Sequence, residues 1–171
     1  MDFLKQFAIP VKGLLDGSHQ YEFRLEDEFF KHFEASPIDR AQLVVKLNLD
    51  KQVDLLVMNL NIKGFIPTSC DRCLADIQLP IDKSYKLVVK RAEGLSDDPD
   101  LVHLAPDAHE LAFGELLYDY ACLSVPLIKR FDCSSLAEPP CNLEVLKYIQ
   151  KEEKTKERNP IWDELKKLKT N

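Results

Sequence analysis

Long apolar stretches are missing from this chain of 171 residues, and no run approaches the roughly 20 residues that a membrane-spanning helix needs. The opening Met1-Asp2-Phe3-Leu4-Lys5 also lacks the charged-then-apolar order of an export signal, so a cytoplasmic protein with no membrane role is expected. Glycine is scarce, at 5 residues. With 10 Pro and 45% apolar residues, the composition falls outside the collagenous, low-complexity and disordered classes. A basic surplus is absent too: the formal net charge of -6 argues against coating nucleic acid by bulk attraction. Catalytic signatures are equally thin. There is no G-x-S-x-G, no Gly-rich phosphate loop and no pair of carboxylates in an evident cleft pattern, and the 4 His are scattered. The expectation is a protein that is not an enzyme and has no small-molecule substrate.

The charge that is present is unevenly spread. Residues 92–128 contain no Lys or Arg but eight Asp or Glu, whereas residues 1–91 hold 13 of each sign and residues 129–171 are mildly basic. A neutral body, an acidic middle and a basic end suggest surfaces that meet different partners.

Hydrophobic periodicity predicts the architecture. Residues 3–9, apolar at 3, 7 and 9, and residues 21–25 read as short strands, and Phe29, Phe30 and Phe33 predict a helix over 26–33. Leu43, Val45, Leu47 and Leu49, then Leu56, Met58, Leu60 and Ile62, recur at period two on either side of Asp50-Lys51-Gln52. That is a long antiparallel hairpin with one buried face. Ile77, Leu79, Ile81, Tyr85, Leu87 and Val89 continue the meander, and residues 92–109 read as an acidic loop holding one short strand near 101–104. Leu111, Phe113, Leu116, Leu117, Tyr120 and Leu123 fit one face of a helix that Pro126 must end. The expected fold class is α+β, an antiparallel meander sheet covered on one face by helices. It forms a single domain over 1–150, followed by a charged linker and a short C-terminal helix over 151–171.

Five Cys without an export signal should stay reduced. Cys70-Asp71-Arg72-Cys73 falls between two strands, in a turn that presents two thiolates to one tetrahedral ion. A thioredoxin-like redox pair would want a helix after the first Cys, and a strand follows here. Cys133 and Cys141 can supply two further ligands for a structural zinc, although their spacing exceeds the roughly two to four residues of a compact knuckle. Buried or vestigial thiols are the alternative, and Cys122, inside the apolar helix, reads as core.

For nucleic acid the candidates are Arg72, between the cysteines, and Lys86, Lys90 and Arg91 on the returning strand. For a protein partner they are Trp162, Leu165 and Leu168, one face of the last helix, suited to a groove. Without RNA contact, that helix alone would make the chain a protein-binding adaptor; a helix docked on its own domain is the bland alternative.

The order of these pieces is informative. Cys70-Asp-Arg-Cys73-Leu74 lies between two strands, the second ending in basic residues; an acidic connector, the segment from Glu110 to Leu127 and then Cys133 follow. This order resembles the YceD family, the large ribosomal RNA subunit accumulation proteins, and the ending Pro160 to Leu168 resembles that of many members. The resemblance implies a part in large-subunit ribosomal RNA processing or accumulation and in ribosome biogenesis. It further implies a metal site, contact with ribosomal RNA or its precursor, and no established catalytic activity. The acidic middle would then suit a basic ribosomal protein. Many members carry a denser cysteine cluster with a second C-x-x-C, where this chain has only Cys133 and Cys141.

Overall fold

Apolar residues at period two give a strand one buried face and one wet face, and in the computed structural model four successive segments obey that rule. The structure describes residues 3–94, 98, 101–131, 133 and 140–154, with side chains up to 149. A 3-10 turn (Phe3–Phe7) leads to β1 (Ile9–Pro10), β2 (Gly17–Glu26) and the one-turn helix α1 (Asp27–Phe30). Strands β3 (Gln42–Lys51), β4 (Leu55–Ser69), β5 (Asp76–Arg91), β6 (Leu101–Leu104) and β7 (Glu110–Leu111) follow, then helices α2 (Phe113–Ser124) and α3 (Leu143–Lys154). Five strands form one sheet in the order β2-β3-β4-β5-β6, and β1 pairs with β7 in a separate two-stranded sheet. The fold class is α+β. The chain divides into two compact units, one of Met1–Thr68 with Gln78–Lys129 and one of Ser69–Ile77 with Arg130–Asn171.

In the first unit the core grows from the alternation. Leu43, Val45, Leu47 and Leu49 of β3 and Met58, Leu60 and Ile62 of β4 are all at most 1% exposed, and Leu87 and Val89 of β5 join them. Each such side chain contributes roughly 1.5–3 kcal/mol by leaving water. Helix α2 reaches two residues of the same sheet face, Phe113 ring to Phe23 at 5.6 Å and Tyr120 ring to Tyr85 at 4.9 Å. The buried Ser124 hydroxyl is satisfied, donating to the Tyr120 carbonyl at 2.7 Å and lying 3.3 Å from the Tyr85 hydroxyl.

Several local expectations differ from what forms. Residues 3–7 make a 3-10 turn instead of a strand, because Phe3 and Phe7 are spaced to meet each other at 5.8 Å and Phe7 then packs edge-on against Phe29 at 4.9 Å. The helix expected over 26–33 is helical only over Asp27–Phe30; i to i+3 bonds at His32 and Phe33 and a positive φ at Ala35 turn the chain away. Strand β6 runs parallel to β5, with Val88 beside Leu101 and Arg91 beside Leu104, so the antiparallel meander stops at β5. A parallel partner requires the chain to cross back before pairing.

The wet face of the sheet is set by register. Gln20 pairs with Asn48, Glu22 with Lys46, Asn48 with Asn59 and Lys46 with Asn61. On β5, Ser84 receives a hydrogen bond from Asn61 at 3.0 Å, and Asp82 forms an ion pair with Lys63 at 3.0 Å.

One polar contact ties β3 to the segment before it. The Asp27 carboxylate accepts the N–H of Ala41 at 3.0 Å, and Ala41 is 1% exposed. Asp27→Ala should therefore leave a buried amide unpartnered and lower stability by about 1–3 kcal/mol. Urea denaturation checks this, and an unchanged midpoint would show that water replaces the carboxylate.

Candidate functional site

The turn between β4 and β5 is short and tightly tied. The Cys70 N–H donates to the Ala75 carbonyl at 2.8 Å and the Leu74 N–H to the Cys70 carbonyl at 2.9 Å, which closes the chain on itself. Leu74 takes a left-handed φ of 58° to make this possible, a conformation that costs an L-residue about 1 kcal/mol. The consequence is a sorting of side chains: Cys70 and Cys73 are 3% and 2% exposed, while Asp71, Arg72 and Leu74 point to solvent. Two thiols in one tight turn, both facing inward, are what a tetrahedral ion requires of a C-x-x-C.

The other two cysteines belong to the same unit. Cys141 immediately precedes α3, whose start is capped by Asn142: its Oδ1 accepts the N–H of Glu144 at 3.1 Å and of Val145 at 3.4 Å. The Cys141 thiol feels Cys133, Cys73 and Cys70 electrostatically. Its pKa is raised, first by the hydrogen bond with Cys133, then by burial and the charge of Cys133 and Cys70, against an opposing bond with Cys73. The four cysteines named from the sequence thus fall in one compact unit.

Among the described residues, however, no three His, Cys, Asp or Glu side chains converge as a ready-formed metal cage. The two observations are compatible. Neutral thiols attract one another only weakly, whereas zinc bonds of about 2.3 Å would hold four thiolate sulfurs about 3.8 Å apart around a common centre. The donor set fits zinc or a similarly soft ion: four sulfurs, two of them buried, with no oxygen ligand needed. Cys122 is different. It is half-buried on α2, its pKa raised by burial against a hydrogen bond with Tyr118, and it has no part in this group.

The basic residues named from the sequence separate on inspection. Lys86 and Lys90 lie exposed on the wet face of β5. Arg91 is exposed as well, but its guanidinium is engaged, donating from Nη1 to the Pro106 carbonyl at 2.8 Å. Arg72 projects from the cysteine turn and belongs to the second unit. Trp162, Leu165 and Leu168 lie outside the described residues. The histidines serve structure where their contacts are seen: His32 stacks on Phe3 at 4.0 Å, His19 meets the Leu15 carbonyl at 2.8 Å, and His103 meets the Gly94 carbonyl at 3.2 Å. Sequence reasoning passed over the polar residues of β3 and β4 that share the wet face with Lys86. Their signal was the off-phase half of the alternation that identified the core.

No helix among the described residues is long and apolar enough to cross a membrane. No curated protein and no solved structure gives a significant match to the chain. A family model does match, over residues 58–169 of the 171. That span takes in the cysteine turn, all of β5, α2, both later cysteines and α3. The chain belongs to the YceD family, the large ribosomal RNA subunit accumulation proteins.

Proposed function

We propose that this chain is a non-enzymatic cytoplasmic factor that promotes processing and accumulation of large-subunit ribosomal RNA during ribosome biogenesis. Cys70, Cys73, Cys133 and Cys141 hold one structural zinc in this reading, and Arg72, Lys86, Lys90 and Arg91 contact the RNA or its precursor. The family match carries the biological role. The gathering of the four thiols within one unit supports the zinc, since a closed sulfur set leaves no open position for catalysis. The exposure of Lys86 and Lys90 supports the RNA contact. The acidic stretch 92–128 would meet a basic ribosomal protein, where opposite charge steers encounter.

The test is capture of the tagged full chain from growing cells at low and moderate salt, followed by sequencing of bound RNA and identification of bound proteins. Precursor large-subunit RNA should be enriched, and its capture should fall roughly tenfold on raising salt or in a Lys86→Glu, Lys90→Glu variant, because each phosphate contact releases a counterion. Proteins captured without RNA, and lost on removing residues 160–171, would replace this reading with that of an adaptor working through Trp162, Leu165 and Leu168.

A further inference from the structure

The wet face of the five-stranded sheet carries a cluster of side-chain amides. Gln20, Asn48 and Asn59 stand side by side on β2, β3 and β4 through the pairing register. On β5, Ser84 sits opposite Asn61, and Tyr85 and Leu87 keep the inward phase without a slip, so the next outward residue, Lys86, falls opposite Asn59. Glu22, Lys46, Asn61 and Ser84 form the adjoining row. The result is a band running across four strands, perpendicular to the Lys86 to Arg91 strip visible along β5.

This band holds two ammonium groups, four amides and one hydroxyl against a single carboxylate, Glu22 at its β2 edge, in a chain with 29 acidic and 23 basic residues. Carboxylates on the rows around it are occupied. Asp50 accepts from Gln52 at 3.2 Å and Asp82 pairs with Lys63 at 3.0 Å, and Glu22 inside the band lies 4.0 Å from Arg24. Gln20, Lys46, Asn48, Asn59 and Lys86 are all exposed.

We propose that this band is a docking surface for double-helical RNA, an inference that rests on the RNA-linked function proposed above. Amide groups both donate and accept, which suits the 2′-hydroxyls displayed in the wide, shallow minor groove of an RNA helix, and the two lysines neutralise phosphates at its edge. Strands about 4.8 Å apart make the band about 14 Å across, enough to bridge from sugar edge to phosphate. Single strands are disfavoured because they are gripped chiefly by stacking, and the band offers no aromatic ring.

The test uses the full chain with an RNA duplex of about 16 base pairs, its DNA counterpart and the separated RNA strands as probes. The RNA duplex should bind best. Asn48→Asp with Asn59→Asp, which changes charge but hardly volume, should weaken binding roughly tenfold, and Lys46→Gln or Lys86→Gln should each lower the salt slope by about 1. Lys12→Gln, an exposed lysine off the band, should stay within about twofold of wild type. Equal binding by the Asn48→Asp, Asn59→Asp variant, or a preference for single strands or DNA, overturns the inference. If the wild type binds no probe yet still captures precursor RNA from cells, the docking surface is wrong and the proposed function stands; if it does neither, both fall.

Discussion

Serine in place of Cys73 is expected to remove the metal from the protein and loosen the whole cysteine unit. Purified without chelator, the wild type should carry about one zinc per chain and Cys73→Ser well under half that, because a structural site with three thiolates binds far more weakly than one with four. The free energy at stake is large. Structural zinc contributes on the order of 10 kcal/mol to the segment it closes, since no site exists in the unfolded chain. The loss should be local before it is global. Amide exchange should accelerate at Cys70 and Leu74, whose N–H groups close the turn, and at Val145, held by the Asn142 cap beside Cys141. Cys122→Ser, on α2 and apart from the group, should keep its zinc. A wild type that is metal-free and melts at the same temperature with and without added zinc would sink the assignment.

The second large effect is expected at Gly64. It lies opposite Leu43 in the β3 and β4 pairing with φ at 149°, a region that L side chains rarely enter. A Cβ there would overlap the Gln42 carbonyl oxygen and approach the Leu43 Cα to 3.0 Å. Both neighbours are backbone, which cannot swing aside as a long side chain could. Gly64→Val should therefore lower stability by at least about 3 kcal/mol, from backbone strain and overlap together. For a chain of this size that is a fall of roughly 10 °C in melting temperature. Gly94→Ala is the comparison: its φ of 83° is also left-handed, but nothing lies within 4 Å of an added Cβ, so only the backbone term should appear. Equal losses at the two sites would mean that β3 and β4 can separate locally at Gly64.

The zinc and RNA experiments bear on different parts of one protein. The four cysteines belong to the unit of Ser69–Ile77 and Arg130–Asn171, whereas Lys46, Asn48, Asn59 and Lys86 belong to the other. Asn48→Asp, Asn59→Asp should therefore leave zinc content unchanged, and a variant that lost both metal and RNA would report unfolding, not a contact.

Much of the fold follows from the sequence alone, because a buried strand face must repeat every second residue. That requirement made the hairpin of β3 and β4 readable from Leu43 to Ile62, and it marked β5 and the short β6. The turn with Cys70 and Cys73 was equally readable, being confined to the residues between two such strands. Local pattern failed where local spacing admitted two answers. Phe3, Phe7 and Ile9 satisfy a strand or a turn, and only packing of Phe7 on Phe29 selects the 3-10 form.

What the tertiary structure alone decided are the relations between distant segments. Periodicity says which face a residue occupies but not which residue of another strand stands beside it, so the band from Gln20 to Lys86 exists only once register is set by hydrogen bonding. Direction is likewise silent in a short strand, and β6 pairs parallel to β5. The placing of Cys70 and Cys73 in one unit with Cys133 and Cys141 is of the same kind. Residues far apart in the chain meet because backbone pairing and burial place them, and no spacing rule written along the sequence carries that information.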